Sequence, residues 1–383
     1  MGKQDAAVAP QSERFRALDG LRGVAAVMVV AHHIALTSPK FEGVYIAGFD
    51  SPARGFTWLM TFTPLHFFWA GTEAVFLFFV LSGFVLALPF LRPNRPRWLS
   101  YYPKRLIRLY LPVWASLALA LLLAGLWPRE SVAGFTFWVN DHAAPQTLWQ
   151  DAYLLDGAKW LNSPLWSLRW EVMFSLLLPA YVLLAAEFKR YWIFGVVGSL
   201  LIIRMGLQTG DLFMQYLPMF GIGVCLAAGK DTLKALATKI PTVLWSILVL
   251  IGIAIFPASW YMPGFIYAPI IELLGCIILI FACLYFRPVV AVGSSPIFHW
   301  LGTRSFSLYL VHEPIILSIV NGTHLTNPLQ VAAIAIPTSG IAAELFYRFV
   351  EKPSHRLANF VGKRLQRSPR RRLEPSPTPE TVN

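Results

Sequence analysis

The sequence predicts an all-α fold, a polytopic membrane helix bundle of about ten transmembrane helices with both termini cytoplasmic. Three observations predict it. Hydrophobic residues make up 56% of the chain against 14% charged, and the mean hydropathy is +0.56. That balance belongs to membrane proteins rather than soluble ones. Ten apolar segments are long enough to span, at approximately 18–36, 66–90, 105–127, 164–186, 190–207, 212–229, 241–257, 264–286, 303–321 and 328–350. Finally, if these alternate across a bilayer from a cytoplasmic N-terminus, 26 of the 32 Lys and Arg fall on the N-terminal side. This positive-inside bias sets the orientation and makes the lipid bilayer the partner. The net charge of +12 is then topological, and nucleic acid is excluded as a partner.

One transmembrane domain over 1–355 and a basic, disordered cytoplasmic tail over 356–383 are expected, with no room for a second folded domain. The N-terminus is not a cleavable signal, because polar residues run to Arg16 and the next helix carries Asp19 and Arg22. Cys225, Cys276 and Cys283 lie in apolar runs and read as small buried hydrophobes. Four scattered histidines lack metal-ligand spacing, so no metal is expected.

The first segment carries the densest chemistry. Arg22 and His33 are eleven residues apart, about three helical turns and roughly 16 Å, which puts them on one stripe. Asp19, three residues before Arg22, lies on the same side. His32 points about 80° away from His33, which singles out His33 as the histidine sharing a lumen with Arg22. Ionisable groups at membrane depth are costly and tend to face a cavity or a partner. Two readings stand side by side. In one, Arg22 snorkels to the headgroups and His33 bonds another helix; in the other, neutral His33 is a general base in a water-accessible pocket.

Further along, Glu73 near the start of the second segment lies seven residues from His66, on its helical face, and reads as a cavity-lining acid. Ser82-Gly83 reads as a helix-packing pair. Arg105 and Arg108, three apart within a basic cluster, make a fork suited to phosphates, although a solvated inner loop explains most of that cluster. Ser167 and Glu171 share a face of the fourth segment, with Glu171 inside apolar sequence, whereas Arg169 cannot pair with Glu171 along the helix. His312 and Glu313 precede Pro314, which should kink its helix.

Taken together, these motifs resemble the membrane-bound acyltransferase-3 family, which transfers acyl groups to extracytoplasmic carbohydrates and related acceptors. They run almost end to end: Arg16-x-Leu-Asp-Gly-Leu-Arg22-Gly-x10-His33, Phe-Phe-Val-Leu-Ser-Gly-Phe at 78–84, and Arg105-x-x-Arg108. Leu165-Trp-Ser-Leu-x-x-Glu171, Ser307-Leu-Tyr-Leu-x-His312 and Glu351-Lys-Pro353 complete the series. Each is weak alone; six in this order are strong. The resemblance implies a bacterial enzyme of the cytoplasmic (inner) membrane that uses acetyl-CoA as acyl donor and a carbohydrate or glycoconjugate as acceptor. It also implies that the histidine at the position of His33 is essential, and that Arg105 and Arg108, with Arg22, engage CoA phosphates. Glu73, Glu171 and His312 would then orient the acceptor or tune the imidazole, with Asp19, His32, His66 and Ser167 in the cavity. Many members carry an acid where this chain has Phe76, and Glu73, one turn earlier, is the candidate substitute. Some relatives append a hydrolase-like domain, for which this chain is too short. The competing reading is a polytopic transporter or exporter of a polar or glycosylated substrate.

Overall fold

The computed structural model describes residues 11–93, 95–129, 145–157 and 161–366, and among these every regular element is helical. The frame is built from α1 (Gln11–Ala35), α2 (Gly71–Ala87), α3 (Trp98–Leu126), α4 (Leu168–Glu187) and α5 (Trp192–Thr209). It continues through α6 (Leu212–Ala228), α7 (Thr242–Ile255), α8 (Ala268–Tyr285), α9 (Pro296–Thr323), α10 (Pro328–Phe346) and α11 (Lys352–Gln366).

Among the described residues, six spans are long and apolar enough to cross a membrane, or seven if α6 and the helix Lys230–Ala237, bent 67° apart, form one. All ten segments of the sequence reading fall on helices, but four do not meet that standard. Segment 66–90 yields a helix of only 17 residues, and 241–257 one of 14. Segment 212–229 ends at the bend, and 303–321 lies in α9, where Arg304, His312 and Glu313 dilute the apolar run. The second segment also breaks before α2. Pro64–Trp69 is a 3₁₀ turn, so His66 and Glu73 are not on one helical face as expected.

The domain boundary at 355 falls inside α11, so residues 356–366 are helical rather than part of a disordered tail. The cause is an amphipathic pattern: Ser354, Ala358 and Gly362, four apart, are buried while α11 packs along α3. The remainder of the expected tail, 367–383, lies outside the described residues.

Glycine contacts set two close crossings. α1 packs along α9, and a Cβ on Gly23 would sit only 2.7 Å from the Gly302 amide nitrogen, while one on Gly302 would collide with the Asp19 carbonyl. α2 meets α6 in the same way, through Gly83 against the Phe220 backbone and Gly223 against Val80. In lipid, where apolar surface gains nothing by association, such close backbone packing is what holds helices together. Gly23, next to Arg22, therefore has a mechanical job: it lets that part of α1 press against α9.

A third tie centres on Pro314, within α9. A helix-interior proline has no N–H, so the carbonyl four residues earlier, on Leu310, loses its partner. Asn162 replaces it, its Nδ2 donating to the Leu310 carbonyl over 2.8 Å. Next to it, the Ser163 amide donates to Glu313 Oε2 at 2.7 Å. The 3₁₀ turn Ser163–Ser167, which leads into α4, is thereby pinned to α9. Asn162→Leu should strand the buried Leu310 carbonyl and cost about 1–3 kcal/mol, read as a lower thermal unfolding midpoint in detergent. An unchanged midpoint would refute the role of this bond.

Candidate functional site

Two adjoining cavities gather most of the expected site residues among the described residues. The larger, about 410 Å³, is lined by Arg22 from α1, Arg105 and Arg108 from α3, and Glu171 from the first turn of α4. Asp19, Ser82, Ser167 and Glu351 also face it. The smaller, about 270 Å³, is lined by His32 and His33 together with Tyr45, Thr72, Trp166 and Tyr216. Val75 and Tyr309 are the residues common to both linings.

In the basic cavity the three guanidiniums converge. Arg105 lies within electrostatic reach of both Arg22 and Arg108, and Arg22 and Arg108 are within reach of Glu351. Of the three, Arg105 is the one tied down among the described residues. It forms a salt bridge through its terminal nitrogen to Glu171, and its Nε donates to Ser175 Oγ at 3.1 Å. Ser82 donates to the same Glu171 oxygen at 3.0 Å. Among the described residues, neither Arg22 nor Arg108 forms a salt bridge. Both remain half-buried, so they present positive charge to the cavity at reduced hydration. A π turn, Tyr347–Glu351, links α10 to α11 and brings Glu351 to the lining, where it accepts from Ser307 Oγ at 2.5 Å. Such turns often mark functional positions, since the extra residue re-aims a side chain. Three arginines face three carboxylates there, Asp19, Glu171 and Glu351, and the two guanidiniums without a salt bridge among the described residues, Arg22 and Arg108, are the groups that can bind an anion.

Hydrogen bonding defines the tautomers in the second cavity. His33 Nδ1 lies 2.8 Å from the Val29 carbonyl, which can only accept, so Nδ1 carries the proton and Nε2 the lone pair. His312 repeats the pattern, with Nδ1 at 3.0 Å from the Leu308 carbonyl. Its Nε2, thus unprotonated, faces His33 Nδ1 at 3.3 Å and accepts a share of that proton. The two rings meet edge to face, 4.9 Å between centroids. His312 is fully buried and lines neither cavity; it stands behind His33 and fixes its ring. A neutral imidazole oriented this way can take a proton through Nε2.

The structure places the other expected residues differently. Arg22 and His33 do share a stripe of α1, but each opens into its own cavity rather than one lumen. His32 lines the same cavity as His33, with Nδ1 at 3.2 Å from the Trp69 carbonyl. Glu171 is in the basic cavity beside Arg105, away from the His33 chamber; Arg169, as expected, does not pair with it and lies over the Trp170 ring. Glu73 lines neither cavity and accepts from Trp260 Nε1 at 3.0 Å. His66 is stacked between Trp69 and Trp260, at 4.2 and 4.5 Å between centroids, so the two residues are linked through Trp260 instead of a common helix face. Phe76 packs near Tyr216. Tyr309, His355 and Glu351 were not singled out as site residues. For Glu351 the available signal was a carboxylate in an apolar stretch that ends in Lys-Pro.

Residues 15–346 match a family model described as an acyltransferase domain. O-acetyltransferase OatA of Staphylococcus aureus (strain NCTC 8325 / PS 47) is 25% identical over 378 residues, covering 88% of this chain and 56% of that protein. OatA of strain COL matches to the same extent. A shorter match, 29% identical over 216 residues, covers 49% of this chain and 35% of another S. aureus (strain COL) protein provisionally named an O-acetyltransferase. The chain thus spans about half the length of these curated relatives. No solved structure matches it.

The Arg105–Glu171 pair is the most exacting contact of the basic cavity. Arg105→Met should lower the unfolding midpoint by leaving a largely buried carboxylate uncompensated, and adding Glu171→Gln should recover part of the loss. A double-mutant cycle should return a coupling of roughly 1–3 kcal/mol; strict additivity would show that the contact contributes nothing.

Proposed function

This chain belongs to the acyltransferase family whose model it matches, and on that premise we propose that it is a membrane O-acyltransferase. It moves an acetyl group from cytoplasmic acetyl-CoA to a hydroxyl of a carbohydrate or glycoconjugate. One observation carries the reading: a three-arginine chamber meets a histidine chamber at Val75 and Tyr309. The name of the S. aureus relatives supports O-acetyl transfer, and the carbohydrate acceptor follows from the motif resemblance. The one-sided distribution of Lys and Arg supports both termini, and the basic chamber, on the cytoplasmic side of a bacterial inner membrane.

The division of labour follows from charge. CoA carries several phosphates, and guanidinium is the side chain that binds phosphate by paired, charge-assisted hydrogen bonds. Arg22 and Arg108, without salt bridges among the described residues, take the phosphates. Arg105, held by Glu171, keeps the chamber's shape. The thioester end reaches the histidine chamber. There the acceptor hydroxyl oxygen attacks the thioester carbonyl carbon as its proton passes to His33 Nε2. A C–O bond forms and the C–S bond breaks. The departing thiolate takes the proton back from the imidazolium, giving the O-acetyl ester and CoA thiol. His312 stabilises the imidazolium's Nδ1–H through its own lone pair.

His33→Ala should fold, bind acetyl-CoA, and lose acceptor-dependent CoA thiol release by about 10²–10⁴-fold, the usual worth of a general base. Arg108→Ala should instead raise KM for acetyl-CoA. Both are read by thiol release together with base-labile acetyl in the surface glycans. A folded His33→Ala protein acetylating at the normal rate would sink the assignment.

A further inference from the structure

The transfer chemistry above gives the Glu351-Lys-Pro353 motif no part. Glu351 is 5% exposed and lines the arginine chamber. Both of its oxygens are engaged away from the arginines. Oε2 accepts from Ser307 Oγ at 2.5 Å, and Oε1 lies 3.7 Å from His355 Nε2. Arg22 and Arg108 stand within electrostatic reach of the carboxylate, yet among the described residues neither is in salt-bridge contact with it. The π turn that carries Glu351 also carries Arg348, but that guanidinium is taken by Glu344 at 2.5 Å, which holds Arg304 as well at 2.7 Å. Of the chamber's other carboxylates, Glu171 is bound to Arg105, and Asp19 bears on Arg22. Glu351 is thus a carboxylate set against both open guanidiniums and joined to neither.

We propose that Glu351 sets the release of CoA: its fixed charge weakens the hold of Arg22 and Arg108 on the phosphates, so that the product leaves after each transfer. The inference rests on the donor assignment above. Acetyl-CoA and CoA carry the same phosphates, so guanidiniums that hold one hold the other equally. Binding energy common to substrate and product lowers KM but slows departure, and beyond a point it lowers turnover. Bound phosphates bring negative charge close to Glu351, and repulsion inside a part-buried pocket is screened little. The Ser307 bond makes the carboxylate a counterweight instead of a plug. Free to swing, it would pair in contact with Arg22 or Arg108 and shut the site, as Glu171 does with Arg105. Held from α9 by Ser307, it opposes the phosphates and leaves the N–H groups of both arginines open. Glu351 touches no reacting atom; it is a positioning residue that acts through the two guanidiniums.

The test uses the full-length protein in lipid nanodiscs, with labelled CoA as the probe of affinity and, after an unlabelled chase, of dissociation rate. Membrane vesicles carrying the cell's own glycans supply KM and kcat for acetyl-CoA. Glu351→Gln keeps an oxygen for Ser307 and removes the charge. It should bind CoA about tenfold more tightly, release it correspondingly slowly, and lower KM for acetyl-CoA together with kcat. A carboxylate that merely held the arginines in place would give the opposite sign, since its loss would weaken CoA binding and raise KM. Ser307→Ala, which frees the carboxylate to close on the arginines, should weaken CoA binding several-fold. The proposal is overturned if folded Glu351→Gln binds CoA no more tightly than wild type, or releases it no more slowly. Should Glu351→Gln not be recovered folded, Ser307→Ala decides, and an unchanged CoA affinity there overturns the proposal. A wild-type protein that binds no CoA refutes the donor assignment itself, a result distinct from any of these.

Discussion

A proline within a helix leaves a carbonyl without its amide, and a carbonyl buried in a bundle finds no water to replace it. Much of the organisation described above depends on how this chain answers that problem at Pro314. Asn162 reaches across from the segment ahead of α4 to cap Leu310, and the Ser163 amide then meets Glu313. These two bonds fix the turn from which Pro164 and Ser167 hold Tyr309, and they set where α4 begins and therefore where Glu171 stands. On the same stretch of α9, His312 is braced by Leu308 and in turn braces His33. A local defect in backbone bonding has become the reference point for both chambers.

The two chambers solve the problem of charge at membrane depth in opposite ways. The arginine chamber keeps full charges and sets three guanidiniums against three carboxylates, with Glu171 committed to Arg105 and Glu351 turned inward by the π turn. The histidine chamber holds neutral groups in a chain of donors and acceptors, in which each ring's Nδ1 is spent on a carbonyl. In the proposed reaction, separating the two keeps the positive field of the arginines away from the imidazole that would accept a proton. Such a field, close by, would disfavour the protonated imidazole.

Helical periodicity made the local part of this legible in the sequence. It placed Arg22 and His33 on one stripe, Arg105 beside Arg108, and helices at all ten apolar segments. What it could not supply was any relation between helices. The Arg105–Glu171 bridge joins residues far apart in sequence, and nothing in either segment announces the other. The stripe through Arg22 and His33 was correctly drawn, yet Tyr309 from another helix divides the space along it. Assuming an unbroken helix put Glu73 on the face of His66, but the 3₁₀ turn at Pro64–Trp69 separates them and Trp260 reunites them. The expected start of the tail at 356 was set too early for a related reason. Polar residues at 356–366 looked solvated, while the small residues among them form a packing face against α3.

The junction at Val75 and Tyr309 also bears on the membrane's electrical integrity. An unbroken column of water through a bilayer conducts, and each elementary charge that crosses dissipates about 2.3 kcal/mol per 100 mV. A protein that hollows out the bilayer from two directions risks becoming a shunt for protons and ions. Here a tyrosine ring and a valine stand where the two hollows meet, and the phenolic hydroxyl is already engaged on both sides. It has little freedom left to rotate and hand protons along a wire. A partition of this kind acts as an insulator between the two hollows.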